Sequence, residues 1–312
     1  CWINVDFPEP ETLFDDYTTR GPQMKTQELT IDRHMGYAFD FKVRELKNEP
    51  TLQYIRDSWL MAMAEMDSKQ RATWEAIYDK KNEEFLKNPP VGKDLLRWKY
   101  QRYVKEYCRT IRSVDEQVGR LLDYLEEKGV LDNTVIVYTS DQGFLLGEHG
   151  LYDKRFMYEE SFRTPLIISC PSLVKKHSVC KELVQNIDLA PTFLSLAGVE
   201  VPKEMSGRSL LPLFKNGKAE NWRNELYYHF YDYPAVGSVR KHDGIRTKRY
   251  KLIHWYGEGS GNDEAIDFWE LYDLKKDVLE VNNVYDNPKY VKVREALTVQ
   301  LEKLRKDVGV TE

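Results

Sequence analysis

The sequence predicts an α/β fold with a smaller α+β unit at its carboxyl end, on three observations. A long helical stripe leads into a short, β-branched apolar strand at 134–139. A second such strand follows at 165–169, and a helix at 188–196 is closed by Gly198. Beyond Trp222 the pattern changes to short strands, turn signals and a terminal amphipathic helix. Helix, buried strand, loop, buried strand, helix is the order of a sheet built with crossover connections, and strands followed by a helix mark an α+β unit. The predicted units are 1–221 and 222–312.

The first 50 residues lack periodicity. Pro8, Pro10, Gly21 and Pro22 punctuate them, which predicts an extended surface segment. Residues 51–88 read as helical, with Trp59, Leu60, Met63, Trp74, Ile77 and Tyr78 at helical spacing. The turn at 88–92 contains Pro89, Pro90 and Gly92, and a longer helical pattern follows at 94–128. There Ile111, Val114, Val118, Leu121, Leu122 and Leu125 form one stripe, expected to pack in the core, and Gly129 stops the helix. The runs at 134–139 and 165–169 are nearly continuously apolar, as in strands buried on both faces of a parallel sheet. Short strands are predicted at 225–231, 244–247, 250–256 and 269–273, a loop at 257–263 and a helix at 290–306.

Composition narrows the functional classes. The 312 residues carry 46 Lys and Arg against 51 Asp and Glu, a net charge of −5. That length supports a large core in one or two domains. A charged fraction of 31% with 12% aromatics is globular, not disordered. Mild acidity argues against nucleic-acid binding, and no run of about 18 apolar residues predicts a membrane span. The chain starts at Cys1 without a signal-peptide pattern, so a fragment or processed product is expected. Cys1, Cys108, Cys170 and Cys180 have no C-x-x-C spacing. They read as buried free thiols, with a Cys170–Cys180 bridge in an oxidising compartment as the alternative.

Chemistry concentrates just after the strand at 134–139. Asp141 and Gln142 follow it, and ligands of open α/β sheets bind at the carboxyl ends of strands. A carboxylate plus a side-chain carbonyl suits a hard cation, Ca²⁺ or Mg²⁺, and Gly143 lets the backbone turn away. A plain turn is the competing reading of Asp-Gln-Gly. Lys154 lies 13 residues beyond Asp141. A lysine beside a divalent cation makes sense when an anion such as sulfate or phosphate sits between them.

The run SDQGFLLGEHGLYDKRFMYEESFRTPLII at 140–168 resembles the metal-binding segment of the type I, formylglycine-dependent sulfatases. The resemblance continues through NIDLAPT at 186–192, AGV at 197–199, MSGRSLLP at 205–212, GIRTKRYKLI at 244–253 and ELYDL at 270–274. PEPETLFDD at 8–16 is also similar to the family. The likeness is continuous from about residue 105 onward and patchier before it. It points most to glycosaminoglycan sulfatases of the glucosamine-6-sulfatase and iduronate-2-sulfatase kind.

The resemblance implies an alkaline-phosphatase-like sheet between helices, of which this chain would hold the carboxyl-terminal portion. It implies Asp141 and Gln142 as metal ligands for Ca²⁺ or Mg²⁺, and Lys154 as the catalytic lysine that contacts sulfate. His149 falls in the family's G-E-H-G segment, with substrate contact or packing as its alternatives. His229, His242 and Arg246 are candidates for substrate binding, with surface or core polarity as the alternative. Arg163 is expected to pair with a carboxylate; His34, His177 and His254 read as structural. A sulfated carbohydrate is the implied substrate and an extracytoplasmic compartment the implied location. The family's Cys-x-Pro/Ala-Ser-Arg motif, whose Cys becomes formylglycine, does not occur here, so the chain alone is expected to be inactive. Val278 also replaces the common Pro of a late D-P-x-E pattern. The alternatives are a phosphomonoester or phosphonate hydrolase of the same superfamily, and a non-catalytic anion- or sugar-binding relative. Oligomeric state is not readable.

Overall fold

The computed structural model describes residues 5–43, 53–261 and 263–310. The amino-terminal segment is irregular apart from the one-turn helix α1 (Gln23–Thr26), but it is not a surface segment. Leu13, Met24, Leu29, Ile31, Phe41 and Val43 are all buried. Such residues enter the core one at a time from turns, so no period of 2 or 3.6 announces them. Thr30 makes a single bridge to Leu151.

The predicted helix at 51–88 is two helices, α2 (Gln53–Glu65) and α3 (Ser68–Lys87). Asp67 breaks the run by capping α3. Its carboxylate accepts from Gln70 N at 2.7 Å, and Gln70 Oε1 accepts from Asp67 N at 2.9 Å. The long helix α4 (Gly92–Glu127) packs by its first half, where Tyr100 and Val104 are buried and Trp98 stacks on Phe85 at 4.1 Å. Its second half departs from expectation. Ile111, Val114 and Leu121 are 42–56% exposed, and the stripe joins none of the core clusters among the described residues.

The strands β1 (Ile136–Thr139) and β4 (Leu166–Ser169) lie where expected, but they pair antiparallel, with Ile136 opposite Ser169. They are also not doubly buried, since Ile167 is 62% exposed. A continuous apolar run shows that both faces are apolar; it carries no information on strand direction. Direction follows from the connection. The chain between them holds the short hairpin β2 (Leu145–Leu146) and β3 (Tyr152–Asp153), a 3-10 turn at Glu148–Gly150 and the one-turn helix α5 (Glu159–Phe162), with no crossover helix.

Beyond β4 come α6 (Leu189–Leu196) and α7 (Leu211–Phe214). They share a core cluster with Leu166 and Ile168 of β4. Asp188 anchors this region, fully buried, with its carboxylate gripped by Arg223 (Nη2–Oδ1 2.7 Å) and accepting from Gln185 N and Arg208 N at 2.8 Å. Arg223→Ala would leave that carboxylate buried and unpaired, so urea denaturation is expected to show a loss of about 3–5 kcal/mol.

The carboxyl-terminal part is an antiparallel meander of β5 (Glu225–Phe230), β6 (His242–Thr247), β7 (Tyr250–Gly257) and β8 (Ile266–Asp273), followed by α8 (Val291–Asp307). One face packs on α8 through Ile245, Leu252, Leu271, Leu297 and Leu301. The other face packs Ile253, Trp255 and Tyr272 against Phe156, Met157 and Tyr158. This second contact carries the site, because those three residues lead directly into α5. Cys108, Cys170 and Cys180 are free thiols with no Cys170–Cys180 bridge; Cys180 is exposed, and Cys1 lies outside the described residues. No helix among the described residues is long and apolar enough to cross a membrane.

Candidate active site

The loop leaving β1 is built to a tight template. Gly143 N donates to Ser161 O at 2.9 Å, and a Cβ at Gly143 would collide with the carbonyl of Glu160. Only glycine permits that approach, so the turn presses against α5. On its other side, Asn186 Nδ2 donates to the carbonyls of Asp141 at 2.8 Å and Ser140 at 3.2 Å. Asp141 is exposed, and its carboxylate meets Ser140 Oγ at 3.4 Å.

Asp141, Gln142, Lys154, Glu159 and Arg246 line one cleft of about 1890 Å³. Lys154 sits between Asp153 at φ 70° and Arg155 at φ 91°, both left-handed and both uncommon for residues with a Cβ. Strained backbone of this kind costs on the order of 1–3 kcal/mol per residue and concentrates at functional sites. Asp153 is paired with Arg155. The half-buried Lys154 ammonium has no hydrogen bond or ion pair among the described residues, which leaves it available to an anion in the cleft.

The other candidates are placed differently. Arg246 is on the cleft wall, bound to Glu159 (Nη2–Oε2 3.0 Å, Nε–Oε1 3.3 Å). Burial opposes the Glu159 charge, but Lys251 and Arg246 overcome it and hold the carboxyl down at about 2. His149 is buried and does not line the cleft. Its Nδ1 lies 2.9 Å from Asp15 Oδ2 and 3.1 Å from Arg20 Nη2, and its backbone is left-handed at φ 55°. Burial opposes ionisation of Asp15, yet the His149 hydrogen bond and the Arg20 charge keep it below the usual range. His229 is half-buried, with Nε2 2.7 Å from Tyr256 Oη, also away from the cleft. His242 is fully buried, stacked on Trp255 at 4.0 Å, with Nδ1 2.9 Å from Arg240 O. Arg163 lines the cleft, and His254 stacks on Trp269 at 4.0 Å.

Burial pushes His242 down from the usual 6.5 to about 4. The unfolded chain therefore takes up this proton near pH 6.5 and the folded chain only near 4. The stability present above pH 6.5 is lost as the pH falls through that window, by about 3 kcal/mol at 1.36 kcal/mol per unit. Urea denaturation across pH 4–7 is expected to show a shallower fall for His242→Gln than for the wild type.

The chemistry of Asp141 and Gln142 suits a divalent ion in kind but not in number. A carboxylate and an amide oxygen form an oxygen-only pair that fits Ca²⁺ or Mg²⁺ and not zinc. Two donors are fewer than the six to eight that Ca²⁺ takes, and no group of three or more His, Cys, Asp or Glu among the described residues could hold a metal. The pair fits as part of a site.

Two comparisons decide the family. Residues 12–199 match the sulfatase family model, and residues 147–307 match that of the N-sulphoglucosamine sulphohydrolase carboxyl-terminal region. The chain belongs to the sulfatase family. It is 45% identical over 305 residues to an N-acetylglucosamine-6-O-sulfatase of Bacteroides thetaiotaomicron, covering 97% of this sulfatase chain and 53% of the relative. A solved structure in complex with its substrate D-glucosamine-2-N,6-O-disulfate superposes with a TM-score of 0.87 at 44% identity, over 97% of this chain and 60% of that one. A phosphonate monoester hydrolase from Silicibacter pomeroyi is more distant, with a TM-score of 0.59 at 26% identity over 72% of this chain and 44% of that one. The sulfatase chain thus spans about half the length of the first curated relative.

The residues that sequence reading missed are Asn186, Lys251 and Glu280. Each stands inside or beside a family-like run, but its partner is 45 to 121 residues away in sequence, and no local spacing signals that.

Proposed function

We propose that this chain contributes the Asp141 and Lys154 side of the active site of a sulfuric ester hydrolase acting on sulfated glucosamine units. The observation that carries the reading is the shared cleft of Asp141, Gln142 and Lys154 inside the region that matches the sulfatase model. Asp141 and Gln142 would hold a divalent cation, which when bound polarises a sulfate oxygen. Lys154 donates to the sulfate oxygens and stabilises the negative charge that grows toward the leaving sugar oxygen. Arg246 lies on the same wall, held there by Glu159. The nucleophile would come from a formylglycine-bearing segment outside this sequence. An extracytoplasmic location belongs to the same reading.

The test is sulfate release from N-acetylglucosamine 6-sulfate, with a phosphonate monoester in parallel. The protein that joins this chain to a nucleophile-bearing segment is expected to release sulfate and to discriminate against the phosphonate, and the isolated chain to release none. A preference for the phosphonate would move the assignment to the phosphonate hydrolase class, and turnover by the isolated chain would contradict the division of labour.

A further inference from the structure

We infer that Asn186 is a positioning residue for the metal loop, setting the direction in which Asp141 and Gln142 present their oxygens. This rests on the proposed assignment of those two residues as ligands. The Asn186 carboxamide spans two successive peptide carbonyls, those of Ser140 and Asp141, at 3.2 and 2.8 Å. It thereby fixes the two peptide planes that flank the Asp141 Cα, and with them the direction of the Asp141 side chain.

The turn that bears Asn186 is itself immobilised. Asn186 opens a short 3-10 turn with Asp188 at its third position. Asp188 is tied to Gln185 N, Arg208 N and the Arg223 guanidinium. Gly207 packs so closely on the carbonyl of Ile187 that an added Cβ would collide with it. From the opposite side, Ser161 O holds Gly143 N. The loop at 140–143 is therefore clamped between two rigid walls; Asn186 Nδ2 is the side-chain donor to the Asp141 carbonyl, while the Ser140 carbonyl also accepts from Thr139 Oγ1 at 3.4 Å. Asn186 is itself exposed. Ser140 and Asp141 carbonyls freed from it would turn to water, so the fold does not depend on these bonds while the ligand geometry does. Partners of this kind, one step removed from the ion, typically alter metal affinity 10–100-fold when removed.

The test measures Ca²⁺ affinity by calorimetry in the protein that joins this chain to the nucleophile-bearing segment, and amide hydrogen exchange of the 140–144 segment without metal, for wild type, Asn186→Ala, Asn186→Leu and Asp141→Asn. Asn186→Leu keeps the side-chain volume and removes the donors. Both Asn186 variants are expected to bind Ca²⁺ about 10-fold more weakly, to exchange faster at 140–144 only, and to keep the wild-type melting temperature. A loss confined to Asp141→Asn, with both Asn186 variants at wild-type affinity, would overturn the positioning role and leave the ligand assignment standing. Unchanged affinity in Asp141→Asn would overturn the ligand assignment, and the positioning role with it.

Discussion

Replacing Lys251 with methionine is expected to cost about 3–5 kcal/mol, the loss typical when one partner of a buried ion pair is removed. Lys251 is fully buried on β7. Its ammonium donates to Met157 O at 2.6 Å and lies 2.7 Å from Glu280 Oε1 and 2.9 Å from Glu159 Oε1. Glu280 is equally buried, and its other oxygen accepts from Glu159 N at 2.7 Å. Burial pushes the Glu280 carboxyl upward against the pull of Lys251. Methionine keeps the packing of the lysine stem but strands Glu280 without a counter-charge. The double variant Lys251→Met with Glu280→Gln removes both charges and is expected to recover at least 1 kcal/mol relative to the sum of the single changes. Urea denaturation of the four species at pH 7 measures this, and a coupling under about 0.5 kcal/mol would show that the network does not act as a unit. The effect reaches the site, because the same network pins the start of α5, and α5 supplies Ser161 O to Gly143.

Lys154→Ala is expected to lower kcat/KM about 10²–10³-fold in the protein that carries the nucleophile. That is the usual effect of deleting one donor aimed at developing charge in a water-poor site. The same change is expected to leave stability within about 0.5 kcal/mol, since Lys154 makes no hydrogen bond or ion pair among the described residues whose loss would destabilise the fold. Lys154→Arg should recover part of the rate, because it restores the charge but not the lysine's single-point geometry. Steady-state kinetics beside thermal melting separates the two effects. A fall of less than about 3-fold for Lys154→Ala would remove this lysine from the chemistry.

Legibility in the sequence followed the length scale of each interaction. The meander of β5 to β8 and helix α8 were readable because turn signals and local periodicity define them. The loop after β1 was readable because Asp, Gln and Gly are adjacent there. Pairing direction was not, because Ile136 meets Ser169 across a connection whose geometry no local pattern encodes. The stripe at Ile111 to Leu125 shows the converse limit: periodicity reports an apolar face, not whether this chain covers it. The histidines show it at the level of the site. His149 and His242 stand in family-like segments, yet Asp15 and Trp255, brought close only by the fold, draw them into the core.

The most direct measurement is sulfate release from N-acetylglucosamine 6-sulfate by the nucleophile-bearing protein, with and without a calcium chelator, for wild type and Asp141→Asn. The account predicts release by the wild type, abolished by chelation and reduced at least 10²-fold by Asp141→Asn, in the range seen when a group stabilising transition-state charge is removed. Sulfate release that survives both chelation and Asp141→Asn would contradict it.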